Sequence, residues 1–74
     1  MSDIYVHCKN DRNLILNSAM LESMEWEERT NTLIFRSTRR DYIVTCRTNL
    51  EYGEYPVETE VFTGLVYKLF GVKL

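Results

Sequence analysis

Apolar and polar residues alternate from Ile4 to Cys8, with Ile4, Val6 and Cys8 on one side and Tyr5 and His7 on the other. A period of two marks a half-buried strand, because successive side chains point to opposite faces. The polar cluster Lys9-Asn10-Asp11-Arg12-Asn13 that follows predicts a turn. Leu14-Ile15-Leu16 then returns beside the first strand as a short hairpin partner, and Asn17-Ser18 is placed to cap one helical turn through Ala19, Met20 and Leu21.

Between Glu22 and Cys46 two further hairpins each impose a register that side-chain character can check. With a turn at Glu28-Arg29-Thr30-Asn31, Trp26 lies near Leu33 and Met24 near Phe35. With a second turn at Thr38-Arg39-Arg40-Asp41, Ser37 faces Tyr42, Phe35 faces Val44 and Leu33 faces Cys46. The three strands form a meander with one apolar face, and the opposite face carries Ile34, Arg36, Ile43, Thr45 and Arg47.

Residues 50–56 read as a hydrated loop, since Gly53 and Pro56 punctuate the segment and Glu51 and Glu54 keep it wet. The period then changes to 3.6, with Val61, Phe62, Leu65, Val66, Leu69 and Phe70 forming a wide apolar stripe. Pro56 suits a first helical position, Glu58 and Glu60 complement the positive helix end, Lys68 complements the negative end, and Gly71 terminates. A competing strand pattern runs through Val57, Thr59, Val61 and Thr63 with Gly64 as a bulge, but the later residues keep the helical period. Inside a helix Gly64 costs about 1 kcal/mol relative to alanine. That predicts close approach of the helix to the sheet or to a second copy.

The expected architecture is α+β: an antiparallel four- to five-stranded sheet, a meander, with one carboxyl-terminal helix packed on one face. One helix covers one side only, leaving Ile34, Ile43, Arg36 and Arg47 on an open face that is partly apolar and partly cationic. The length of 74 residues allows a single compact domain, residues 1–74, with a small core that a second copy could share. Hydrophobic residues at 45% and charged residues at 27% place the chain outside the compositions that stay disordered.

Cys8 and Cys46 are too few for a disulfide framework and match no zinc or redox spacing, so both are expected as free thiols. Met1-Ser2-Asp3 opens without a basic region or an apolar one, and no apolar run reaches the roughly 18 residues of a membrane span. A reducing cytoplasmic setting with no membrane partner is expected. A membrane-surface role for the last residues, with Lys68 and Lys73 beside an apolar stripe, would leave Trp26, Leu33 and Phe35 uncovered.

The chemistry-bearing residues point away from catalysis. His7, the one histidine, is adjacent to Cys8, and neighbours on a strand face opposite ways, so they do not form a nucleophile pair. Glu22, Glu25, Glu27 and Glu28 flank a turn, where carboxylates are solvated rather than raised in pKa. There is no phosphate loop, nucleophile elbow or metal-binding constellation in the sequence. The expectation is a non-enzymatic chain with no catalytic residue, cofactor or metal.

Two recognition chemistries remain. Arg36, Arg39, Arg40 and Arg47 interleave with Phe35 and Tyr42 on one hairpin, a pattern suited to nucleic acid. Against it, the net charge is −2, the same register turns Phe35 and Tyr42 toward the core, and Glu25 and Glu27 can pair with Arg36 and Arg47. Protein recognition is favoured. Tyr52 and Tyr55 flank Gly53 as large, low-entropy anchors unless they fold back on the sheet, and Arg39 and Arg40 offer bidentate contacts to carboxylates. Self-association as a structural homo-oligomer or homodimer is the third possibility. In size, acidity and economy of loops the chain resembles many small phage-encoded accessory proteins that bind and inhibit or modulate a larger enzyme. That resemblance implies a protein-binding module.

Overall fold

The structure, a computed structural model, describes residues 3–74. Met1 and Ser2, part of the stretch read above for a leader, lie outside the described residues. In chain order the elements are β1 (Asp3–Val6), β2 (Leu14–Asn17), β3 (Leu21–Glu27), β4 (Thr32–Ser37), β5 (Asp41–Thr45), β6 (Glu54–Pro56) and α1 (Thr59–Phe70). Single 3₁₀ turns at Ser18–Met20 and Glu28–Thr30 join β2 to β3 and β3 to β4.

The strands form two sheets rather than the one expected. β1 and β2 make a separate antiparallel pair, and the main sheet runs β3-β4-β5-β6. The main sheet is mixed, because β6 pairs parallel to β5 with Ile43, Val44 and Thr45 opposite Glu54, Tyr55 and Pro56. This corrects the loop expected over residues 50–56. Parallel neighbours need a crossover, and β6 is so short that residues 46–53, reaching about 3.3 Å each, suffice for the return. Pro56 closes this edge strand instead of opening the helix, and a proline is tolerated there because no ladder donor is needed from it. Its carbonyl accepts from the Lys9 amide at 2.9 Å, which ties the β1–β2 hairpin to the main sheet.

The β3–β4 register is the one the sequence predicts: Trp26 opposite Leu33 and Met24 opposite Phe35. Asn31 makes the turn with a left-handed φ of 51°, its amide bonded to the Glu28 carbonyl. The β4–β5 register differs from expectation by two residues, with Phe35 opposite Tyr42, Leu33 opposite Val44 and Arg36 opposite Asp41. The faces survive this correction because a slip of two returns every side chain to its own side. A tighter turn causes it. The Ser37 hydroxyl donates to the Arg40 carbonyl at 2.7 Å and accepts from the Arg39 and Arg40 amides at 3.2 Å, so only Thr38, Arg39 and Arg40 remain between the strands.

One core joins all parts: Ile4, Val6, Cys8, Leu14 and Leu16 from the hairpin, Leu33, Phe35, Val44 and Tyr55 from the sheet, and Val57, Phe62, Leu65 and Val66 from the last segment. The helix and the hairpin thus share the apolar face of the sheet. The helix is the expected one, ending at Gly71, whose φ of 72° and amide bond to the Tyr67 carbonyl complete the cap. Gly64 is not the close approach to the sheet that its position suggested. It lies on the exposed side, and a Cβ built there meets nothing within 4 Å.

Candidate functional site

A groove of about 190 Å³ opens where the β2–β3 connection meets the β4–β5 tip. Its geometry follows from three local devices. The Asn17 side chain accepts from the Ala19 amide at 2.9 Å, which winds the 3₁₀ turn and turns Met20 outward. The Met20 carbonyl accepts from the Thr38 amide at 3.2 Å, pinning that turn to the hairpin tip. The Ser37 hydroxyl then shapes the tip so that Arg39 reaches the groove rim.

The lining is mixed: Ile15, Leu16, Met20, Leu21 and the ring of Tyr42 are apolar, and Asn17, Ser37 and Arg39 are polar. Ile15 is 62% exposed and Met20 40% exposed, so these side chains face water at a place where Leu14 and Leu16 are buried. At about 190 Å³ the groove is smaller than the roughly 300–1,000 Å³ typical of cofactor and small-molecule sites. One or two side chains of a partner fit it better.

The four arginines of the hairpin region part company here. Arg36 binds Glu25 at 2.6 Å and Asp41 at 2.8 Å; its pKa is held above the ordinary value by the hydrogen bond and charge of Glu25, then by the charge of Asp41. Arg47 binds the buried carboxylate of Glu54 at 2.5 Å, not Glu27 as the sequence suggested. Arg40 donates to the Tyr55 hydroxyl at 2.7 Å and stacks 4.7 Å from the centre of the Tyr42 ring. Arg39 alone among them has no ion pair or side-chain hydrogen bond among the described residues, and it is the one on the groove rim.

The two candidate tyrosines also separate. Tyr52 is fully exposed beside Gly53, as expected of a contact residue. Tyr55 is 6% exposed and held by Arg12 above its ring, Tyr42 beside it and Arg40 at its hydroxyl. That corrects its reading as an exposed loop anchor, because Glu54–Pro56 pairs with β5 as a strand and Tyr55 joins the core. Of the six residues singled out, only Arg39 lies in the groove, and Tyr52 lies outside it. The sequence reading missed Ile15 and Met20. The signal for Ile15 was present, since burying Leu14 and Leu16 on a strand forces Ile15 outward.

The open face of the sheet is less cationic than its sequence suggests. One row crosses it as Glu25, Ile34, Ile43 and Glu54, with Arg36 held between Glu25 and Asp41 in the next row. Thr32 and Thr45 at the far end are buried, the Thr45 hydroxyl donating to the Asn31 carbonyl at 3.2 Å. His7 is exposed while Cys8 is buried, its thiol 3.8 Å from the Val6 carbonyl. Burial raises the Cys8 pKa and the nearby Arg12 charge partly offsets this, so the thiol is not an activated nucleophile.

Among the described residues no group of three or more His, Cys, Asp or Glu side chains could hold a metal ion, and no helix is long and apolar enough to cross a membrane. No family model matches the chain, and neither a curated protein nor a solved structure matches it.

Proposed function

We propose that the chain is a protein-binding module whose groove takes an apolar side chain of a partner while Arg39 engages a neighbouring carboxylate of that partner. The observation that carries the reading is the coincidence of an unpaired guanidinium with exposed Ile15 and Met20 around one concavity. The apolar part of the lining supplies affinity, and a guanidinium at the rim supplies orientation through paired hydrogen bonds. Tyr52 adds a second exposed contact outside the groove. Covering the surface of a larger enzyme, and so inhibiting or modulating it, is the activity that suits a domain of this size. Nucleic acid has less support, because Arg36 and Arg47 are already neutralised by carboxylates and Arg40 is committed to Tyr42 and Tyr55.

Selection of short displayed peptides against the folded protein tests this. The expected consensus is an apolar residue next to an acidic one, with shifts in the amide spectrum at Ile15, Met20 and Arg39. Arg39→Glu is expected to weaken the selected peptides about tenfold and Ile15→Asp to abolish binding, both with unchanged circular dichroism. Peptides that bind Arg39→Glu as well as the parent would refute the reading. So would salt-sensitive binding of DNA or RNA in place of any peptide.

A further inference from the structure

We infer that a second copy of this chain packs antiparallel on the outer face of α1, with Tyr67 of each copy lying over Gly64 of the other. The inference begins with an unexplained cost. A mid-helix glycine gives up about 1 kcal/mol of helix stability relative to alanine. Among the described residues nothing is gained in return, because the space a Cβ would occupy at Gly64 is empty to 4 Å and the residue lies outside the positive-φ region. The remaining use of a missing side chain is to admit something from outside.

A concavity sits at this place. It measures about 320 Å³ and is lined by Glu60, Thr63, Gly64, Tyr67, Lys73 and Leu74. Tyr67 is 61% exposed and Leu74 59% exposed beside it, so the hollow has apolar groups on its rim that no described residue covers. A large exposed ring one turn from an uncovered glycine on the same helix face is a self-complementary arrangement, which is what a two-fold interface requires.

Charge selects both the occupant and the direction. Glu60 lies in the first turn of the helix, and Lys68 lies in the last, with Lys73 just beyond. None of the three has an ion pair among the described residues. Parallel packing sets like charge against like. Antiparallel packing with position 67 opposite 64 sets Glu60 opposite 71, about 4.5 Å along the axis from Lys68 of the other copy and close to its Lys73. The helix dipoles also oppose each other in that arrangement. The glycine allows the axes to approach near the lower end of the usual 8–10 Å separation.

The contact is small, since a helix of 12 residues is only about 18 Å long. Weak association follows, of the kind seen below roughly 1,200 Å² of buried surface.

Sedimentation equilibrium of the full chain from about 10 µM to about 1 mM tests this, with a sub-millimolar monomer–dimer equilibrium expected. Gly64→Ala is expected to raise the melting temperature of the dilute monomer while weakening the dimer several-fold, and Gly64→Leu to abolish association. Glu60→Lys and Lys68→Glu are each expected to weaken association, and the double exchange to restore it at least tenfold over either single change. A parent chain that stays monomeric at about 1 mM overturns the inference. Undiminished association of Gly64→Leu, or a double exchange as weak as the singles, overturns it equally.

Discussion

The Arg47–Glu54 pair holds the return from β5 to β6, and removing the arginine while keeping its stem, as Arg47→Met, tests how the parallel strand is secured. The Glu54 side chain is only 6% exposed, and its carboxylate accepts from Arg47 at 2.5 Å and from the Glu51 amide at 3.0 Å. Without Arg47 a buried anion keeps that single amide. Breaking a fully buried pair in this way costs about 3–5 kcal/mol. The Arg47 side chain is 34% exposed, so water screens the pair, and the lower figure of about 2–3 kcal/mol applies. A chain of 74 residues has about 4–11 kcal/mol in total, so the variant still folds at room temperature. Its melting temperature falls by roughly 10–20 °C. Glu54→Gln keeps one acceptor oxygen and sets its NH2 against one of the two donors, so it costs about 1–3 kcal/mol, and the double variant shows a coupling of about 1–2 kcal/mol. Urea denaturation of the four proteins at constant m-value measures the cycle. Arg47→Met within about 0.5 kcal/mol of the parent, or a coupling indistinguishable from zero, would refute the assignment of β6 to this pair.

The remaining predictions concern single sites. Cys46, only partly buried, is expected to react with a thiol reagent at neutral pH well before buried Cys8, as mass spectrometry of the labelled chain would record. The Cys8 pKa is raised in the folded state, so its contribution to stability is whole below the unfolded thiol value near 9 and is lost as pH climbs through the folded one. Urea midpoints compared at neutral and strongly alkaline pH should therefore fall less for Cys8→Ala than for the parent. Asn31→Gly is expected to leave stability within about 0.5 kcal/mol, whereas Asn31→Val should cost about 1–2 kcal/mol, because only the left-handed φ of 51° closes this turn. Gly71→Ala should lower the melting temperature by roughly 4–8 °C through strain at its φ of 72°, without altering the helix start.

The residues by themselves determined which side chains face inward along β1 and α1. Alternation in Ile4–Cys8 and the stripe through Phe62, Leu65 and Val66 translate directly into buried positions, since periods of 2 and 3.6 are properties of the local backbone. The turn at Asn31 and the register around it were equally legible, because one loop length satisfied both the apolar face and the turn chemistry. Register between β4 and β5 was not, because pairings two residues apart bury the same side chains and contacts at the tip, from Ser37 to Arg40 and from Arg36 to Asp41, separate them. Tertiary structure alone brought Glu54–Pro56 beside β5 and chose Glu54 as the partner of Arg47. It also gathered Ile15, Met20 and Arg39 into one groove from three separate segments. Such placements depend on contacts between distant parts of the chain, and no local period encodes them.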